Sequence, residues 1–175
     1  MVTDDVQPIH IPEPDKLLSP PIIATDHVSV GYEPGRPILS ELSLRIDNDD
    51  RIALLGSNGN GKSTLVKLLA GKLAPEHGTV TRAATLKVGY FAQHQVDELD
   101  MNGSPYDHVR RLMPDAPEAK VRGRVGTIGF SQAAANTKVS SLSGGEKARL
   151  LLGLATFVAP HLIILDEPTN HLDID

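Results

Sequence analysis

Two stretches near the start of the chain, "IIATDHVSV" (22–30) and "ILSELSLRI" (38–46), alternate apolar and polar residues in part, with the Gly/Pro-rich "GYEPGRP" between them. A period of two buries one face of a strand, so the pair predicts a hairpin. "RIALLG" (51–56) is then a continuous apolar run ending in glycine, the pattern of a parallel strand covered on both faces. In "KSTLVKLLAG" the spacing becomes helical, with Leu65, Leu68 and Leu69 in register and Gly71 as the stop. "PEHG" makes a turn, and "LKVGYF" (86–91) predicts another strand. From about 104 to 158 the pattern is helical, opening on Ser104 as cap and Pro105 in the first turn, with "GEKARLLLGLATFVA" its strongest helix. "HLIILDE" (161–167) returns to the buried-strand pattern. Residues 1–21 hold Pro8, Pro12, Pro14, Pro20 and Pro21, which remove backbone donors and predict a linker-like arm. A mixed sheet with a helical insertion before a second buried strand is an α/β architecture.

Composition narrows this reading without redirecting it. The 175 residues, 40% hydrophobic, suffice for the core of one domain of ordinary size. With 17 Lys+Arg against 22 Asp+Glu the formal charge is -5, so the bulk composition carries no electrostatic footprint for nucleic acid. The basic cluster Arg110, Arg111, Lys120, Arg122 and Arg124 is read as a solvated helical face in preference to a nucleic-acid contact. Absence of cysteine excludes a disulfide framework and a Cys-ligated metal. "MVTDDVQPIH" lacks the features of a secretory signal, and "LLLGLATFVA" and "LIIL" are too short to span a bilayer, so the chain reads as soluble and cytosolic.

The chemistry concentrates in three places. "GSNGNGKST" (Gly56, Ser57, Asn58, Gly59, Asn60, Gly61, Lys62, Ser63, Thr64) matches G-x-x-x-x-G-K-[ST] and lies between a predicted strand and a predicted helix. Gly56, Gly59 and Gly61 let backbone N–H groups turn onto phosphate oxygens, the helix N-terminus adds partial positive charge, and Lys62 adds a full one. Ser63 is placed for Mg²⁺. In "LIILDE" the apolar run holds Asp166 at the carboxyl end of a strand, where it can hold Mg²⁺ through water, and Glu167 can orient or deprotonate an attacking water. In "LSGGEKARL", Ser143 is a good N-cap, and Gly144 and Gly145 leave the helix start bare enough to approach an anion. Taken alone, Ser143 and Glu146 are a capping box, which needs no ligand.

Phosphate loop, "LSGGE" and "LDEP" in this order and spacing resemble the ATP-binding cassette (ABC) family over roughly residues 17–175. The resemblance implies an ABC-type P-loop NTPase fold with an antiparallel β subdomain and a helical insertion. It also implies that Ser143, Gly144, Gly145 and Glu146 complete the ATP site of a facing cassette, in a sandwich of two. Tyr32 falls at the family's adenine-stacking aromatic position, and Gln93 in "YFAQHQ" at the Q-loop that senses Mg²⁺ and the attacking water. "EPTNHLD", "KLLSPPIIATDHVSVGY" and "VGYFAQHQVDELD" resemble the ABC-F branch, in particular the second cassette of eukaryotic members: soluble paired cassettes that act on ribosomes. On that reading residues 1–21 are the inter-cassette linker, and 22–175 an incomplete cassette with a helical subdomain at about 104–158. The strand carrying the family's switch His would follow residue 175, and His171 is not that residue. The expected function is ATP binding and, with a second cassette, hydrolysis coupled to translation, the chain alone turning over negligibly. Two alternatives are the ATPase subunit of a membrane transporter and an ATP-binding module without turnover.

Overall fold

The computed structural model describes residues 9–131 and 133–166, which fall into two compact units. One comprises residues 13–90 and 158–166; the other takes in 9–12 and 91–157.

The first unit is built on the hairpin. β1 (Ile23–Val30) pairs antiparallel with β2 (Leu39–Ile46) and, on its other edge, with β3 (His77–Arg82), giving the order β2-β1-β3. Its register runs Ile23↔Ile46 through Thr25↔Leu44, then shifts between Thr25 and Val28. At that irregularity Asp26 and His27 turn to solvent, whereas Ile23, Val28 and Val30 are buried. A bulge therefore interrupts the alternation, which is why the period of two is only partial in the sequence.

α1 (Lys62–Leu69) packs on this sheet by Leu68, with Val28 and Val30, and by Leu69, beside Ile22, Ile23 and Ile46. Of the three predicted helical leucines only Leu68 is fully buried, and Val66 is buried instead of Leu65. Gly71, at φ 76°, stops the helix as expected. The Arg82 guanidinium on β3 donates to the Leu68 and Leu69 carbonyls, placing a cation where the helix dipole is negative. β3 is not legible as a strand: "PEHG" (75–78) reads as a turn and "TVTR" is assigned no element from sequence, although Thr79, Val80 and Thr81 are a β-branched run. β4 (Val88–Ala92) and β5 (Leu162–Asp166) form a separate two-stranded sheet. They run the same way: the Lys87 carbonyl accepts from the His161 and Leu162 N–H groups at one end, and Tyr90 meets Asp166 at the other.

Two strand expectations fail in part or whole. Residues 51–56 form no strand, and Ile52, Leu54 and Leu55 are 58%, 42% and 89% exposed. An apolar run becomes a strand only where a neighbour takes up its backbone groups, and among the described residues none does. β5 forms, but only Ile164 is buried and Leu165 is 50% exposed, so the strand is covered on one face.

The second unit is helical. After a 3-10 helix at Gln93–Glu98 come α2 (Pro105–Leu112), α3 (Glu118–Thr127), two 3-10 turns and α4 (Gly144–Ala155). Its core includes Val109 of α2, Val121 and Val125 of α3, and Leu150 and Leu151 of α4, closed by Phe91 and Phe130. Ser104 caps α2 with Pro105 in the first turn, as the sequence predicts. The basic cluster is largely occupied within this unit: Arg110 donates to the Ala116 carbonyl, Arg111 pairs with Asp100, Arg122 with Glu118, and Arg124 donates to the Phe157 carbonyl. These contacts favour the reading of a helical face over one of a nucleic-acid patch.

Candidate nucleotide site

α1 begins without a cap. Its N-cap is Gly61 at φ 81°, no side chain accepts from its first turn, and that turn holds no acidic residue. The first-turn N–H groups of a helix have no intrahelical partners, so here they are donors open to an anion. Glycine is required at position 61 twice over. Its φ lies in the left-handed region, and a Cβ would stand 2.7 Å from Leu39 Cδ2 and 3.2 Å from Ile38 Cγ2 of the hairpin. The sheet thus fixes where the loop turns into the helix.

The loop closes on itself through its own polar groups. Asn60 Nδ2 donates to Ser57 Oγ at 2.8 Å, and Lys62 Nζ donates to the Gly56 and Ser57 carbonyls at 2.6 and 2.8 Å. The ammonium is thereby folded over the loop backbone, beside the open donors of α1. Residues 56–60 are exposed, as is Ser63, while Thr64 is buried. A cluster of N–H donors with one ammonium and no carboxylate on the same helix turn suits a polyphosphate.

Tyr32 stands in the connection between β1 and β2 and is 54% exposed. Lys67 Nζ donates to its hydroxyl at 3.2 Å and lies 5.0 Å from the ring centroid, which puts the amine beyond the hydroxyl edge and not over a face. A half-exposed phenol ring is able to stack on a planar group. The Thr64 hydroxyl, and after it Lys67, hold the phenol below its usual pKa, against the opposing effect of burial. Tyr32 is in this way tied to the helix that carries the phosphate loop.

Asp166 ends β5 as expected, and its carboxylate Oδ2 accepts from the Tyr90 hydroxyl of β4 at 3.4 Å. Lys72 Nζ lies 4.1 Å from the Tyr90 ring centroid. Burial, then the Asp166 charge, raise the Tyr90 pKa, keeping the phenol a neutral donor. Among the described residues no group of three His, Cys, Asp or Glu side chains could hold a metal unaided. A hydroxyl (Ser63) and one carboxylate (Asp166) are hard oxygen donors that suit Mg²⁺ when phosphate oxygens supply the rest of its shell.

The remaining sequence-predicted residues are placed as follows. Gln93 opens the 3-10 helix after β4, and only its backbone is described. Ser143 caps α4 and forms a reciprocal box: Ser143 N–H donates to Glu146 Oε2 at 2.8 Å, and Glu146 N–H donates to Ser143 Oγ at 3.2 Å. A Cβ at Gly145 would meet nothing within 4 Å, so that face of the helix start is bare. Glu167 and His171 lie outside the described residues. Lys67, Lys72 and Tyr90 were missed by sequence reasoning. The lysines recur every five residues from Lys62, a spacing that matches no single helix face and so gave no signal.

A family model described as "ABC transporter" matches residues 39–170. Two solved structures share the fold at TM-score 0.70: a bacterial Atm1-family ABC exporter with ATP bound, 24% identical with 95% of this chain and 32% of that one covered, and a dimeric ATP-binding cassette in a post-hydrolysis state bound to ADP and Pi, 22% identical with 87% and 76% covered. The class is therefore the ABC-type P-loop NTPase, an ATP-binding domain. The chain belongs to the ABC transporter family, and its similar curated relatives are ABC-F proteins. ABC transporter F family member 3 of Arabidopsis thaliana is 44% identical over 176 residues, 100% of this chain and 24% of that protein. ATP-binding cassette sub-family F member 3 of Pongo abelii is 44% identical over 164 residues, 94% of this chain and 23% of that protein. The chain thus spans about a quarter of the length of these relatives. No helix among the described residues is long and apolar enough to cross a membrane.

Proposed function

We propose that this chain binds Mg-ATP through residues 56–64 and Asp166 and, paired with a second cassette, hydrolyses it in the service of a ribosome-linked, cytoplasmic function. The observation that carries the reading is the uncapped start of α1, with Lys62 folded beside it and no acid in its first turn. Lys62 exchanges its carbonyl partners for phosphate oxygens, and the first-turn N–H groups donate to the remaining anionic oxygens. Tyr32 offers a ring face to adenine. Ser63 and Asp166 would hold Mg²⁺, which would neutralise charge on the phosphates. Glu167 orients the attacking water and takes its proton. Ser143, Gly144, Gly145 and Glu146 serve the ATP of the facing cassette, so hydrolysis belongs to the pair. The ribosome enters from the resemblance to ABC-F proteins.

Two measurements test this. Calorimetric titration with ATP, with and without Mg²⁺, should show binding that Lys62→Ala weakens; equal affinity in the variant removes the phosphate-loop assignment. Glu167→Gln in a complete two-cassette protein should retain ATP affinity, slow hydrolysis by about 100-fold or more, and co-sediment with ribosomes in ATP. Unchanged turnover would assign the water to another group, and co-purification with a membrane subunit instead of ribosomes would favour a transporter role.

A further inference from the structure

Asp166 is the one carboxylate that the described structure brings to the end of the β4–β5 sheet beside a hydroxyl donor, and that donor is the phenol of Tyr90. We propose that Tyr90, held by Lys72, is a positioning residue that fixes the plane of the Asp166 carboxylate and so sets how tightly this chain takes a divalent cation with its nucleotide. The inference rests on the reading of Asp166 as a cation-holding group and adds a residue to it.

The argument begins with the freedom of an aspartate at a strand end. The carboxylate torsion is broad and two-fold, so without a partner the plane of the two oxygens is poorly defined. A donor directed at Oδ2 selects one plane and leaves Oδ1 free of that bond. At 3.4 Å the contact is long for an O–H···O bond, so its contribution lies in direction more than in strength. Parallel pairing of β4 with β5 brings the two side chains to the same end of the sheet, and it does so from residues 76 apart in sequence.

Tyr90 is in turn held from the helix side. Lys72 Nζ stands 4.1 Å from its ring centroid, close enough for the ammonium to be attracted to the π face. A cation there restrains rotation of the ring and draws electron density from it, making the hydroxyl a better donor. Lys72 follows directly on Gly71, the stop of α1, so one short helix carries Lys62 and Ser63 at its start and ends next to the residue that backs Tyr90. Hydrogen bonds to a metal-holding carboxylate tune affinity for the metal by about 10- to 100-fold in general. The long, directional contact from Tyr90 belongs at the lower end of that range.

The test separates cation binding from nucleotide binding. ATP affinity of the full chain is measured by calorimetry in Mg²⁺ and in chelator for wild type, Tyr90→Phe, Lys72→Gln and Asp166→Asn. The Mg²⁺-dependent gain in affinity should fall by about 10-fold in Tyr90→Phe, with affinity in chelator unchanged. Lys72→Gln should shift it the same way by about 2- to 5-fold, and serves if the tyrosine variant does not fold. Bound Mn²⁺, read by its paramagnetic resonance spectrum with ATP present, should show an altered environment in Tyr90→Phe, an effect a purely structural tyrosine would not produce. A wild-type Mg²⁺ dependence in Tyr90→Phe, or equal losses with and without Mg²⁺, overturns the role of Tyr90. If Asp166→Asn itself keeps the wild-type Mg²⁺ dependence, the reading of Asp166 fails and the positioning role falls with it.

Discussion

α1 and α4 both start on glycine-rich sequence, "NGNGKST" and "LSGGEKARL", and they treat their free N–H groups in opposite ways. At α4 Ser143 takes the Glu146 N–H, and the Glu146 carboxylate takes the Ser143 N–H, so the positive end of the helix already faces a negative side chain. At α1 no side chain accepts, the first turn holds no acid, and the Lys62 ammonium lies on the Gly56 and Ser57 carbonyls of the loop. Glycine content therefore does not by itself make an anion site; what decides is whether a side chain has satisfied the donors. α1 is prepared for phosphate as it stands. A phosphate arriving at α4 would have to compete with Glu146 and Ser143 for those donors.

The largest expected difference between the two helix starts is in nucleotide affinity. Lys62→Ala should weaken ATP binding by about 10- to 100-fold, the equivalent of about 1.5–3 kcal/mol for a charge-assisted contact, whereas Ser143→Ala should leave the affinity of the single chain within about twofold. Calorimetry on both variants decides, and equal losses would dissolve the contrast. Next come the glycines themselves. Gly61→Ala places a side chain at φ 81° and against Leu39, and should destabilise the chain by about 1–2 kcal/mol in urea unfolding. Gly145→Ala, with open space around its Cβ, should be neutral or stabilising by up to about 1 kcal/mol. The same sign at both positions would show that the two starts are alike.

Removal of the α4 cap is a smaller effect. Ser143→Ala should cost about 1 kcal/mol in thermal or urea unfolding, while nothing comparable exists to remove at α1. The smallest expected effect concerns α2, capped by the same device. There the Ser104 hydroxyl first, and the Ser104 N–H next, hold the Asp107 pKa below its ordinary value of 3.8. Because the folded pKa is the lower one, the stabilisation is fully present above about pH 4 and is lost as pH falls through the depressed value. Amide exchange of α2 between about pH 5 and pH 2 should show progressive loss of protection, and Asp107→Asn should flatten that dependence. An unchanged slope would mean that the carboxylate does not stabilise this helix start.

Local chemistry was legible wherever the physical cause is itself local. The Ser104–Pro105 start of α2, the Ser143–Glu146 box and the stop at Gly71 follow from cap and turn preferences within a few residues. The hairpin was legible from its alternation, although the bulge at Asp26–His27 blurred it. β3 escaped because its run is short and a single apolar residue, the half-buried Val80, marks its covered face.

What the sequence by itself determined about this protein is local: the glycine-rich pattern at 56–64 that leaves the start of α1 uncapped, the apolar run that ends a strand at Asp166, and the Ser143–Glu146 box that caps α4. Tertiary structure alone decided which apolar runs acquire neighbours. Residues 51–56 and "LIIL" look alike as sequence, yet only the second finds a partner in β4, because strand pairing is a property of two segments and cannot be encoded in one. The same holds for side chains. Asp166 was legible as a carboxylate at a strand end, but its donor Tyr90 and the Lys72 behind it are brought together by parallel pairing and by where α1 stops, over separations that leave no periodic trace in the chain.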